Sequence, residues 1–441
     1  MRHPTSAVLS SSLLLLLATP AFAQGTTPAP APTPAPQPTT PTPTPGPEPT
    51  TAPEPAPAPA PETPVTTPEP VADPAGTPTA MPEEPPTVSA RYDKGFTLAT
   101  SDDEFELKAG IRSQFRIEVF KADQDDAEVE SHFLVPRLRL QLEGFAFGKQ
   151  NTYKVEFDMA NKGFSVLKDF YINHEFTPTL QIRAGQWKKP FSRHQMVSDF
   201  GSEFNERAIS DEWAGAGRDL GIALHNGYEK SPDGVEWAVG MFNGTGDKPK
   251  QTVTCADPAD PETCVPSTPS NVPTDFDPEL VARVGFNTGG IKGYSEGDLE
   301  GGPLRLGVAA SYRLNFNQLQ KDADDSLILE HGFEVDGLLK VAGFDGQAGV
   351  YLVKVGDADM DLGFLLQAGY FVVPETAEFA ARFALIPDEA AMDESLMETR
   401  LAFDWYFHGH NFKIATDAGF LSSTAADTND IQVRSQVQLV F

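Results

Sequence analysis

The chain has 441 residues, 33 of them basic and 63 acidic, for a net charge of −30. One basic and seven acidic residues fall in 1–90, so −24 of that charge belongs to residues 91–441, which argues against nucleic acid as a partner. No GxSxG, HExxH, phosphate loop or dinucleotide fingerprint occurs in its required context, so neither an enzyme nor a cofactor is expected.

Arg2 and His3 precede an apolar run centred on Leu13 to Leu17, and Ala21-Phe22-Ala23 offers a small-residue cleavage site before Gln24. That order predicts a secretory signal over 1–23. The run is short of the roughly 20 apolar residues a bilayer span needs. Residues 24–88 hold 24 of the 40 prolines, set among Ala, Thr and Glu. Proline cannot donate to a ladder and this composition cannot bury a core, so a disordered, polyproline-II-like tether is expected. A spacer is the bland reading of it. A tether in the periplasm, reaching toward the cell wall, is the sharper one.

From Phe105 the pattern changes to period two. Phe105, Leu107, Ala109, Ile111, Phe115, Ile117 and Val119 alternate with Glu106, Lys108, Arg112, Gln114, Arg116 and Glu118, two sets that a strand sends to opposite faces. A run this long exceeds the usual globular strand of about five or six residues and suits a tilted membrane strand. The alternation returns at 138–142, 153–159, 180–184, 220–224, 235–241, 304–308, 333–335, 348–352, 401–407, 412–414 and 431–441. Weaker segments at 164–176, 279–288, 361–373 and 377–385 bring the expected total to about 16. The fold class is therefore all-β, a transmembrane antiparallel barrel over 96–441. Short connections at 148–150, 177–178, 343–345 and 409–410 alternate with longer, often acidic ones at 120–131, 188–217, 244–278, 315–330, 386–397 and 421–430, as periplasmic turns alternate with outer loops. The segment 289–303 is long for a turn, and 160–163 is short for an outer loop.

Cys255 and Cys264 lie close together in a stretch of Pro, Asp and Thr; on an exported chain a local disulfide is expected. The acidic stretches Asp123 to Glu128 and Asp322 to Asp325 lack the spacing of a calcium-binding hand and read as solvated faces. His408 and His410 sit in a tight turn and read as a strand end, not as a metal site. Trp187, Trp237, Trp405, Tyr370 and Phe371 suit interface girdles or barrel packing. The chain closes on Val433 to Phe441, an amphipathic strand with a terminal Phe, which looks like the recognition signal of bacterial barrel assembly.

The stretch Ile182-Arg183-Ala184-Gly185-Gln186-Trp187-Lys188-Lys189-Pro190-Phe191, followed by Phe204-Asn205-Glu206-Arg207, Gly217-Arg218-Asp219-Leu220-Gly221 and Val239-Gly240-Met241-Phe242-Asn243-Gly244, resembles the phosphate-selective porin O and P family. Ala282-Arg283-Val284-Gly285, Leu167 to Tyr171 and Leu366 to Tyr370 carry the resemblance across 96–441. It implies a sixteen-stranded homotrimer in the outer membrane whose third outer loop, here about Trp187 to Arg218, folds inward to narrow the pore. The Pro-rich tether and the acidity of the barrel depart from the family's best-known members.

A channel needs charge where its bore is narrow, and Arg or Lys there selects anions. Arg112, Arg116, Arg137, Arg139 and Lys154 fall on the polar side of early strands, and Lys188, Lys189, Arg193, Arg207 and Arg218 on the constriction loop. Arginine suits phosphate because its planar fork donates two bonds at once. Glu106, Glu118, Glu143, Glu156 and Asp158 share those strand faces, and Asp199, Glu203, Glu206, Asp211 and Glu212 the loop, so pairing that cancels the field is the competing expectation. The expected function is passive diffusion of small anions, phosphate or polyphosphate, with lipid and lipopolysaccharide as surroundings. A general or cation-leaning porin is the alternative within the class, and an envelope anchor with a tether directed at the cell wall the alternative outside it.

Overall fold

Alternating apolar and polar residues give every long strand one face for lipid and one for the lumen, and the chain builds a closed barrel on that rule. The computed structural model describes residues 85–92, 95–160, 167–215, 217–247, 253–255, 264–266, 272–273, 276–316, 328–387 and 394–441, with the side chains of 253–255 and 264–266 excepted. The signal segment 1–23, the tether up to residue 84 and the acidic stretch Asp322 to Asp325 lie outside the described residues.

The strands in chain order are β1 (Val88–Tyr92), β2 (Phe96–Thr100), β3 (Phe105–Lys121), β4 (Glu130–Ala146), β5 (Asn151–Asp158), β6 (Leu167–Thr177), β7 (Leu180–Lys188), β8 (Arg218–His225), β9 (Gly234–Phe242), β10 (Val253–Cys255), β11 (Cys264–Pro266), β12 (Glu279–Thr288), β13 (Arg305–Asn315), β14 (Glu330–Val341), β15 (Phe344–Val355), β16 (Asp361–Val373), β17 (Ala377–Pro387), β18 (Ser395–His408), β19 (Phe412–Ser423) and β20 (Thr428–Val440). Sixteen of them, β3–β9 and β12–β20, pair antiparallel with their neighbours in sequence, and β20 returns to β3 from Ile431↔Lys121 to Val440↔Arg112, which closes the ring. Closure leaves no exposed edge, the condition for a sheet to cross a bilayer. Among the described residues no helix is long and apolar enough to cross a membrane.

The outer face carries Ile111, Phe115 and Ile117 of β3, Val284 and Phe286 of β12, Phe379 of β17 and Leu401 of β18, all exposed, while Gln114, Arg116, Arg137 and Arg139 are buried on the inner face. Leu366 of β16 is 61% exposed and sits opposite Ala348 and Phe383 in mid-strand. We expect Leu366→Arg to cost about 2–4 kcal/mol, as a charge on the lipid face near mid-bilayer does. Urea titration of the barrel in phosphatidylcholine vesicles reads that cost; an unchanged midpoint would mean that Leu366 does not face lipid. Aromatic pairs gather at the short-turn end: Phe105 with Phe147 at 5.1 Å, Phe407 with Phe412 at 4.8 Å, as an interface girdle requires. Trp187 and Phe371 instead point inward and are buried.

Two features depart from the expected layout. Val88, placed at the end of the tether by composition, opens β1, and β1 and β2 form a hairpin. β2 pairs with β3 from Phe96↔Ala109 to Ala99↔Glu106, directly beyond the end of β20, where the Phe441 carbonyl accepts from Ile111 N at 2.7 Å. β3 outruns its closing partner, and the hairpin covers the edge that would otherwise stand open. The second is Pro136 inside β4. It cannot donate to a ladder, and it falls where the β3–β4 register slips between Gln114↔Arg137 and Arg116↔Leu134. β10 and β11 pair in the 243–278 connection with Cys255 opposite Cys264; the disulfide itself involves side chains outside the described residues.

Candidate functional site

The chain from Lys189 to Gly217, between β7 and β8, folds into the barrel. Lys189 N donates to the Gly217 carbonyl at 2.9 Å and pinches the neck shut. Inside it, Phe191, Ala208 and Ala214 pack with Trp187, Phe242, Val281 and Tyr351 of the wall. Two single-turn helices, α1 (Arg193–Met196) and α2 (Ile209–Trp213), face each other through Ser192 Oγ, which donates to Asp211 Oδ1 at 2.5 Å. The tip crosses to the opposite wall. Gln114 Nε2 donates to the Asp199 carbonyl at 3.1 Å, Gln438 Nε2 to the Phe200 carbonyl at 2.9 Å, and Asn205 N to Asp417 Oδ2 at 3.0 Å.

Two carboxylates of this tip take up the arginine ladder. Asp199 meets Arg139 at 2.7 Å and Arg137 at 3.5 Å, and binds Arg207 of its own loop. Glu206 meets Arg137 at 2.5 Å and Arg116 at 2.7 Å. Burial pushes both carboxyls up; at Asp199 the cations of Arg207, Arg137 and Arg139, and at Glu206 those of Arg137 and Arg116, outweigh it and hold both below the usual carboxylate range.

A second insertion comes from the connection 289–304 between β12 and β13. It looked overlong for a turn, and it enters the lumen from the side opposite the first loop. Glu296 N donates to the Gly201 carbonyl at 2.9 Å and Glu296 Oε2 accepts from Glu203 N at 2.8 Å, so the two insertions are stitched together. His194 Nδ1 lies 3.1 Å from Glu296 Oε1, while its Nε2 accepts from Ala208 N at 3.0 Å. Tyr294 lies under the Arg193 guanidinium at 5.1 Å and donates to Glu236 at 2.7 Å. Length alone was the signal for this segment; nothing in its composition, Gly and Ser among charges, says that it turns inward.

The ten basic residues expected at the pore divide by place. Arg112, Arg139, Lys154, Lys188 and Arg218 line a cavity of about 270 Å³ between the wall from β3 to β8 and the first loop. Arg116, Arg137, Lys189, Arg193 and Arg207 lie away from it. Lys189 binds Glu279 at 2.6 Å and Arg193 binds Asp336 at 2.5 Å; both are buried. The carboxylates Glu143, Glu156, Asp169 and Glu229 line the same cavity. Arg112 meets Glu156 at 3.3 Å, and Lys154 and Arg218 each meet Asp169 at 2.7 Å. Lys188 differs from the other nine in that, among the described residues, it forms no ion pair with a carboxylate; its Nζ donates to the Val197 carbonyl at 2.7 Å. A second polar cluster, unforeseen from sequence, gathers Glu203 of the loop tip with Asp345 and Glu378 of the wall. Burial first, then the neighbouring Asp345 and Glu378 charges, raise the Glu203 carboxyl above its ordinary range.

Residues 105–257 match the family model described as phosphate-selective porin O and P. Among solved structures, an anion-selective porin from Comamonas acidovorans is 12% identical, with 76% of this chain and 100% of that one covered at a TM-score of 0.48. A loop-deletion form of OmpT, an outer membrane protein of Vibrio cholerae, is also 12% identical, covering 75% and 99% at a TM-score of 0.47. OpdQ of Pseudomonas aeruginosa is 11% identical, covering 76% and 98% at 0.42. No curated protein sequence matches the chain.

Proposed function

We propose that the chain is an outer-membrane porin through which small anions, phosphate or polyphosphate among them, diffuse passively, narrowed by the loop 189–217. The observation that supports it is the cavity beside that loop. Five cationic heads meet four carboxylates there, and the side chains of Arg112 and Lys154 keep about a fifth of their surface open to it. Paired charges cancel at a distance, but a solute passing at contact meets guanidinium and ammonium donors individually. The driving force is the concentration gradient, and no step needs a reaction. Export by the segment 1–23, assembly as a homotrimer, surroundings of lipid and lipopolysaccharide, a periplasmic tether with contact to the cell wall, and a disulfide between Cys255 and Cys264 belong to the same reading.

One observation favours the cation-leaning alternative: where the loop tip meets the far wall, Glu203, Asp345 and Glu378 stand together without an ion pair among the described residues. The two readings separate in a planar bilayer under a potassium chloride gradient. An anion-selective reversal potential, with conductance reduced by added phosphate, is the expected result. A cation-selective reversal potential would leave the barrel and overturn the anion assignment.

A further inference from the structure

We propose that Glu203, Asp345 and Glu378 form a calcium site that fastens the tip of the inward loop to the barrel wall. Glu203 belongs to the loop 189–217, Asp345 to β15 and Glu378 to β17, and one oxygen of each lies within 4.8 Å of the others. Each of the three residues is 1% exposed. Glu203 Oε2 accepts from Gln367 Nε2 at 2.5 Å and Glu378 Oε2 from the Tyr406 hydroxyl at 2.5 Å, which turns the remaining oxygens toward one another. Those oxygens, Glu203 Oε1, Asp345 Oδ1 and Glu378 Oε1, are buried without a hydrogen-bond partner.

The three oxygens crowd over one glycine. A Cβ at Gly369 would fall 2.1 Å from Glu203 Oε1, 2.8 Å from Asp345 Oδ1 and 3.0 Å from Glu378 Oε1, so a side chain there would occupy the cradle. The nearby cations are engaged elsewhere: Lys340 Nζ donates to the Ser295 and Gly297 carbonyls, Lys413 binds Asp404, and Arg382 serves Gln367, Glu206 O and Glu398. Three carboxylates this close and this buried need a counter-ion or shared protons. Oxygen-only ligation suits a hard cation. Calcium takes about six to eight oxygen ligands in a flexible geometry, whereas magnesium demands a near-ideal octahedron and gives up its waters reluctantly, so three carboxylates from three separate segments suit calcium. Water completes the coordination. The inference holds whichever ion the pore prefers.

The test is calcium binding to the full mature chain, refolded into detergent from urea so that no lipopolysaccharide is carried over, and stripped with a chelator. Equilibrium dialysis against radioactive calcium should find one ion per chain that Glu203→Gln/Asp345→Asn loses, or binds at least tenfold more weakly. Calcium should raise the thermal transition of the wild-type barrel and leave that of the variant unmoved. Wild type that retains no calcium at millimolar concentration overturns the proposal, as does a variant that binds with wild-type stoichiometry and affinity; the first result means that shared protons neutralise the cluster. If the variant does not regain its heat-modifiable mobility in gels, terbium on wild type decides. Emission sensitised by tyrosine and displaced by calcium is expected beside Tyr406, and its absence counts against the site.

Discussion

Replacing Asp199 with Asn and Glu206 with Gln in one chain should raise single-channel conductance several-fold while the barrel still closes. Arg116, Arg137 and Arg139 of the wall hold the loop 189–217 through those two carboxylates. Removing one partner of a buried pair strands the other and costs about 3–5 kcal/mol. The cost falls on the loop, because the ring is closed by backbone ladders from β3 round to β20 that no loop residue enters. The exposed pair Lys149–Asp103, at 2.7 Å and more than 60% exposed on both sides, is the control: such pairs are worth about 0–1 kcal/mol, and Lys149→Met should leave conductance unchanged. Conductance of the double variant equal to that of wild type would show that the clamp does not set the bore.

The same pairs give the clamp a pH dependence of known sign. Asp199 and Glu206 have their folded-state pKa depressed. Their contribution is therefore complete above the ordinary carboxylate value of about 4 and is lost as pH falls through the depressed values. Conductance should stay level from pH 8 to pH 5 and rise only under stronger acid.

The barrel was legible because a membrane strand must repeat one simple instruction for its whole length. The weak segments 279–288 and 361–373 coincide with β12 and β16, since even a faint alternation is enforced when one face meets lipid. Val88–Tyr92 was not legible: a five-residue hairpin strand that follows a proline tract carries too few alternations to stand out, and its place is set by the unpaired end of β3. The inward course of the loop 189–217 followed from resemblance rather than from pattern. What its charges do is a matter of distance. Arg112 and Arg116 are four residues apart on one face, yet Arg112 lines the cavity and Arg116 is buried against Glu206. Periodicity assigns a side chain to the lumen; only packing says whether solute or protein meets it there. The cluster of Glu203, Asp345 and Glu378 spans residues up to 175 positions apart and has no local signature at all.

The triple variant Arg112→Gln, Lys154→Gln and Lys188→Gln should reverse the sign of the reversal potential. It leaves two cationic heads, Arg139 and Arg218, facing Glu143, Glu156, Asp169 and Glu229 across the same cavity. The wall should tolerate the change. Glu156 keeps Arg139 at 3.3 Å and Arg218 at 3.7 Å, and Asp169 keeps Arg218 at 2.7 Å, so neither carboxylate is left as an isolated buried charge. The measurement belongs near 0.1 M salt, where charges act over about 10 Å; at 1 M that reach falls to about 3 Å and the difference between the proteins should shrink. A reversal potential that does not move in the triple variant would place the cavity off the permeation path and take the anion reading with it.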